Sequence, residues 1–442
     1  MEDFYAGNII IDGTTYLFYF ADYKIVITGD RAENQMLSYR KIKTFIGGDW
    51  WINVCDFENR YLAIKVDNID YVLLNKCALS VEGYFVTRSF EKGNKVPDSV
   101  RFRSICIRND IIDYMFRNDN KYLEDVIYLL NNWNEYQLNI PEPKEKYSPI
   151  DLQINGEKYN MKFKVMVQGS TAPFPFNINH AIIVSSDNNG TFKDAWYIVK
   201  LIRLFLKFIS QSGGVNFKEQ IYVYQDDIND SRTFLYLRNE ENANIIRERV
   251  LEYADVEVGI DKLITSIDNN GILFRSLFPT DKEMIFYSDI MNICAAFESQ
   301  APDFAGNEQK NVRRKMVKKL KDLRSEFAEN ELEYFDDIIE GFNKYKDTLK
   351  QRIELALNEF IEIYGSENVK YNFLTNYEEM PERIKNSRNA LDHGDREKRL
   401  SNNEYWDAEL LRAIVYMMIL KEAGIDGESL KHSLDKLSRV PH

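Results

Sequence analysis

The chain has 442 residues, of which 44% are hydrophobic, with 27 Tyr and 27 Phe; at about 150 residues per domain this makes two to three folded domains and excludes wholesale disorder. A formal net charge of -13 excludes a general nucleic-acid coat, because phosphate neutralisation takes Lys and Arg, but it leaves room for one local basic groove. Four cysteines without a Cys-x-x-Cys pair, and only four histidines, argue against a zinc site or a disulfide framework.

In chain order, residues 1–145 read as a β-rich, sandwich-like domain. Segments 8–12 and 14–20 read as strands flanking Asp12-Gly13, a hairpin turn signal. Segments 23–28, 50–55, 60–66, 71–74, 81–88 and 99–107 continue the strand pattern. The run Tyr16-Leu17-Phe18-Tyr19-Phe20 reads as core plus one sheet face. Helical spacing around 122–133 precedes Pro141, Pro143 and Pro149, which mark a linker.

Residues 146–275 read as a mixed α/β region. Strand-like segments 151–154 and 159–167 turn at Asn155-Gly156, and 180–185 follows. A helical pattern over 195–210 is expected to end at Gly213-Gly214, before strands at 217–224 and 233–237.

Residues 276–442 change to an all-helical pattern. Over 284–299 a helix places Phe286, Ile290, Ile293, Cys294 and Phe297 on one face. A basic helix is expected over 308–329, where Lys310, Arg313, Arg314, Lys315, Lys318, Lys319, Lys321 and Arg324 cluster; it reads as a solvated face or an RNA path. A long helix over 332–364, broken near Gly341, and helices at 377–393, 404–423 and 427–437 complete a bundle of five or six. The fold class is multidomain α+β.

Arg388-Asn389-Ala390-Leu391-Asp392-His393, followed by Gly394, carries the clearest chemistry. Metal-free RNA cleavage needs a base for the 2′-hydroxyl, an acid for the leaving 5′-oxygen and a cation for the phosphate. Histidine suits the proton work near neutral pH, and the arginine fork matches phosphate oxygens. Asn389 and His393, four apart, share a helix face. Gly394 is expected to end that helix, so its negative end favours imidazolium at His393. Spacing alone favours a plainer reading, an Arg388–Asp392 surface ion pair with His393 as a terminal cap. His180, opening an apolar strand, reads as structural.

An Arg-Asn-x-x-x-His motif late in a helical bundle, ahead of another amphipathic helix, resembles the HEPN superfamily (higher eukaryotes and prokaryotes nucleotide-binding). The similarity is to its ApeA-like anti-phage branch, through Ala296-Phe297-Glu298, residues 387–394 and residues 410–420. The resemblance implies a C-terminal HEPN bundle in a homodimer, with two motif helices meeting across a two-fold axis as one ribonuclease cleft without metal or cofactor. By position, Arg388, Asn389 and His393 would be catalytic, with Glu298 and Asp392 supporting them. Arg396, Lys398 and Arg399 would contact RNA phosphates. The expected product is a 2′,3′-cyclic phosphate. The expected partners are RNA, tRNA among the candidates, and a phage-derived trigger, with the N-terminal region as sensor.

No apolar run approaches the ~20 residues of a membrane span, and the acidic start lacks a signal-peptide pattern. A cytoplasmic setting without membrane attachment is therefore expected. Two other readings stay open: a non-catalytic HEPN dimerisation or nucleotide- or protein-binding module, and a carbohydrate-binding sandwich using aromatics such as Trp50-Trp51.

Overall fold

The structure is a computed structural model that describes residues 4–11, 13–28, 51–67, 78–87, 101–119, 147–154, 156–169, 176–217, 221–224, 232–240, 245–272, 277, 287–300, 307–324, 327–328, 331–332, 334–337, 339, 348–392 and 401–438. The chain divides into two compact units, Met1–Tyr253 and Ala254–His442.

The first unit is built on antiparallel strands. They are β1 (Tyr5–Ile11), β2 (Thr14–Ala21), β3 (Lys24–Thr28), β4 (Trp51–Asp56), β5 (Tyr61–Val66), β6 (Ala78–Thr87), β7 (Arg101–Arg108), β8 (Ile150–Ile154), β9 (Glu157–Gly169), β10 (Phe176–Thr191), β11 (Ile221–Tyr224) and β12 (Arg232–Leu237). They form one 12-stranded sheet in the order β3-β2-β1-β4-β5-β6-β12-β11-β7-β10-β9-β8, with β3 also paired to β6. That extra pairing closes the first six strands into a barrel, which removes their free edges.

Strand β6 has three partners: β5 lies along one edge, and β3 and β12 share the other. Its start pairs with β3 at Ser80 and Leu79, and its end pairs with β12 from Gly83 to Val86. A Cβ on Gly83 would lie 2.3 Å from the Tyr236 carbonyl oxygen and 2.6 Å from the Trp196 ring, so only glycine fits there. The period-2 pattern of β2 sends Tyr16, Phe18 and Phe20 inward to meet Ile9, Ile25, Ile64 and Val81. Leu17 and Tyr19 face outward.

Helix α1 (Asp110–Met115) is capped by Asn109, whose side chain accepts from the Ile111 amide. Helix α2 (Phe192–Ser210) starts with a Thr191–Asp194 capping box. Its Phe192 ring sits 4.8 Å from Phe85, and Trp196 meets Trp51 edge-on at 5.3 Å. The helix ends at Ser210, as expected, but its cap is Gln211 rather than Gly213-Gly214. Gln211 takes the left-handed position at φ 53, and its side-chain amide donates to the Arg249 carbonyl at 2.9 Å. That tertiary bond stands in for the usual glycine. The β2–β3 turn likewise uses Asp22 and Tyr23 at positive φ rather than glycine.

The second unit is helical. It contains α3 (Ile260–Asp268), α4 (Tyr287–Gln300), α5 (Asn307–Leu323), α6 (Leu349–Tyr364), α7 (Ser366–Phe373), α8 (Met380–Asp392), α9 (Asn402–Glu422) and α10 (Gly427–Ser438). Helix α9 is the axle: Leu410, Leu411, Ile414, Val415, Met417 and Leu420 are all buried, so apolar side chains surround it. Helices α4, α6, α8 and α10 pack against it. Helix α6 opens with a fresh capping box, Thr348 with Gln351, and stops at Gly365, φ 94, before α7. The sequence reading missed α3 and α7. Among the described residues, no helix is long and apolar enough to cross a membrane. The expected strand 71–74, the helix around 122–133 and Trp50 lie outside the described residues.

Candidate functional site

The site is organised around α8. Met380, Ile384 and Ser387 recur at helical spacing on its buried face. Two clamps hold this helix to α9. The Arg383 fork grips Asp407, with Nε at 2.6 Å from Oδ2 and Nη2 at 2.8 Å from Oδ1, and Thr375 Oγ1 donates to the same carboxylate at 2.8 Å. The Ser387 hydroxyl donates to Glu404 Oε1 at 3.1 Å. Asp407 is fully buried, so it depends on these donors, and removing a partner from such a pair costs about 3–5 kcal/mol. The hydrogen bond from Arg383 to Asp407 holds the guanidinium pKa above its ordinary value.

One residue after Ser387, the Arg388 side chain reaches α4. Its Nη1 and Nη2 donate to Oε1 and Oε2 of Glu298, both at 3.1 Å. This is a two-point grip on a carboxylate. Arg352, on α6, donates from Nη2 to Oε1 of the same glutamate at 3.0 Å. Three helices thus meet at one carboxylate. The side chains of Arg388, Glu298 and Arg352 keep 34%, 30% and 21% exposure. Ion pairs this open to water add on the order of 1 kcal/mol or less. The grip therefore matters for orientation more than for stability.

Cys294 lies one turn before Glu298 and is buried. Burial pushes its thiol up to about 12, the nearby Arg388 charge opposing and Glu298 adding. Cys294 is thus a neutral, packed thiol beneath the ion cluster and not a nucleophile.

Of the site residues named from sequence, the structure brings Arg388 and Glu298 together. Arg388 makes its ion pair across helices with Glu298. Asn389 is exposed on α8. Asp392 ends α8, with its side chain outside the described residues, and His393, Arg396, Lys398 and Arg399 lie outside them entirely. Arg352 escaped sequence reading because its link to Glu298 spans 54 positions.

The remaining candidates sort readily. His180 is buried, stacked on Phe116 at 4.3 Å, and its backbone amide donates to Asp113 at 2.5 Å; it belongs to the first unit's core. His432 pairs with Asp255 at 2.6 Å. On α5, Lys315, Lys318, Lys319 and Lys321 are exposed, while the Lys310, Arg313 and Arg314 side chains lie outside the described residues.

A guanidinium fixed on one edge by a carboxylate keeps its other N–H donors for an anion, since arginine has five and Glu298 takes two. Half exposed and beside a second arginine, it suits a phosphate. Comparison with curated proteins and with solved structures gives no significant match. Residues 290–429 match the family model described as Apea-like HEPN, so the helices that carry Glu298, Arg352 and Arg388 are those of an Apea-like HEPN domain.

Proposed function

We propose that this protein is a metal-independent endoribonuclease acting in anti-phage defence, with its cleft assembled from the HEPN domains of two chains. The observation that supports this reading is the Arg388 fork, oriented by Glu298 and half open to solvent within the HEPN match. Arg388 stabilises charge building on the scissile phosphate. Asn389, exposed beside it on α8, orients the reacting groups. His393 acts as acid or base, and a two-fold axis supplies the second imidazole. Asp392 supports the motif, and Arg396, Lys398 and Arg399 hold flanking phosphates. The cut leaves a 2′,3′-cyclic phosphate. Residues 1–145 and 146–275 restrain the HEPN region, residues 276–442, until a phage-derived trigger arrives in the cytoplasm.

The test uses pure protein with total RNA and with tRNA in EDTA, beside Arg388→Ala and His393→Ala. Cleavage by the wild type and loss of cleavage in both variants is the expected result. Equal cleavage by all three proteins would sink the assignment. No cleavage by the wild type, even with infected-cell extract as a source of trigger, would favour a non-catalytic HEPN binding module.

A further inference from the structure

We propose that Arg352 is a second phosphate-binding residue, supplied by α6 from outside the motif helix. The proposal rests on the ribonuclease reading and extends its site. Arg352 and Arg388 reach the same oxygen, Glu298 Oε1, at 3.0 and 3.1 Å. Two cations therefore flank one anion, and the cluster carries a surplus positive charge. Acceptors on a phosphate suit that surplus better than another carboxylate does, because a bridging phosphate can meet both forks at once.

A purely structural role explains Arg352 poorly. Its Nε is buried and, among the described residues, has no hydrogen-bond acceptor. A buried unpaired N–H carries a desolvation cost, which an apolar side chain of similar length would avoid. The ion pair to Glu298 offsets little at this exposure. Lys350, two residues earlier, ties α6 to α8 through Glu382 at 3.1 Å, so the packing of α6 on α8 does not depend on Arg352, whose pair with Glu298 reaches α4 instead. Among the described residues Glu298 engages only Nη2, which leaves the remaining Nη donors open to a ligand.

The charge also bears on strand chemistry. A chain of net charge -13 repels RNA overall, so bound phosphates concentrate at local cation clusters. Arg352 lies on a different helix from Arg388. The two can therefore contact different oxygens of one phosphate, or adjacent phosphates of one strand.

The experiment measures binding of a 2′-O-methyl oligoribonucleotide, which cannot be cut, to the full-length protein over a salt series. Wild type, Arg352→Met, Arg352→Lys and Arg388→Ala are compared, with the thermal transition of each measured alongside. Arg352→Met is expected to weaken binding about tenfold. It should also reduce the log–log salt slope by ~0.7, the value for one lost contact on a single strand. Arg352→Lys should restore the slope, because the charge returns, while leaving part of the affinity loss. A merely structural arginine would shift the thermal transition and leave the slope alone. If Arg352→Met keeps wild-type affinity and slope while Arg388→Ala loses both, this inference is wrong and the ribonuclease reading stands. If Arg352→Met loses affinity and slope although the wild type cuts no RNA, the phosphate site stands and the catalytic reading falls.

Discussion

At the scale of single residues, Glu298 decides how the motif arginine is presented. A carboxylate beside an arginine proposed to bind an anion looks self-defeating, because it competes with the ligand. The geometry removes the conflict: Glu298 takes one N–H from each Nη of Arg388 and leaves the others free. Glu298→Gln separates the two effects. It removes a negative charge, so the uncut 2′-O-methyl RNA should bind more tightly. It also loosens Arg388, so kcat should fall about 10-fold to 100-fold, as misplaced catalytic groups do. Stability should move by ~1 kcal/mol or less, because the pair is half exposed. Parallel falls in affinity and kcat would argue against this division. Cys294, one turn away, gives a pH prediction. Its folded-state thiol titrates at about 12 against an ordinary 9.0. The unfolded chain therefore loses this proton first as pH rises, and the stability that burial of the neutral thiol provides is full below about 9 and drains away toward about 12. Iodoacetamide at pH 8 should label Cys294 only after denaturation, and Cys294→Ala should flatten the alkaline limb of urea-unfolding curves. Rapid native labelling would show the thiol to be accessible.

At the scale of elements, α8 is held for stability at one place and for orientation at another. The Arg383–Asp407–Thr375 cluster is the stabilising anchor, because Asp407 is fully buried and its partners satisfy it. Asp407→Ala should cost about 3–5 kcal/mol and lower the unfolding midpoint in urea. A change below ~1 kcal/mol would mean that Arg383 finds another partner. The strand system has a comparable single point at Gly83, where β6 exchanges β3 for β12. Gly83→Ala puts a methyl against the Tyr236 carbonyl oxygen and the Trp196 ring. It should destabilise the first unit by at least ~1–3 kcal/mol, read in its tryptophan fluorescence transition. These anchors also show what the sequence could and could not reveal. The helical face at Ile290, Ile293, Cys294 and Phe297 is a local period and is legible because burial repeats within one element, whereas the apolar run of β2 could be read only as core plus one sheet face and shows its alternation in burial. The Arg388 fork was visible as a residue, but its partner choice was open between Asp392 and Glu298. Arg352, Asp407 and the left-handed Gln211 were invisible, since each depends on a group far away in the chain. Barrel closure was equally hidden, because the β3–β6 pairing joins strands that are far apart in the chain.

At the scale of the whole molecule, the chemistry requires more than one chain provides at the motif. Moving a proton off a 2′-hydroxyl and another onto a leaving oxygen takes a base and an acid, while Arg388–His393 holds one imidazole. In the proposed dimer a two-fold axis would resolve the shortfall by setting a second motif opposite the first, and would double the forks facing the phosphate as well. It also gives the acidic exterior a role. Net charge of -13 per chain opposes association at long range, so a dimer must be held by a packed helical face that outweighs the repulsion. Two consequences follow for solution behaviour. Added salt should tighten the dimer by screening that repulsion, while it weakens RNA binding by counterion competition. Activity should therefore pass through a maximum as salt is raised. Dilution should lower specific activity in step with dissociation. Sedimentation velocity and initial cleavage rates, measured on the same dilution series, provide the check. Rates that stay proportional to chain concentration after the protein has become monomeric would mean that one motif suffices, and the second imidazole would then have to be sought within the same chain.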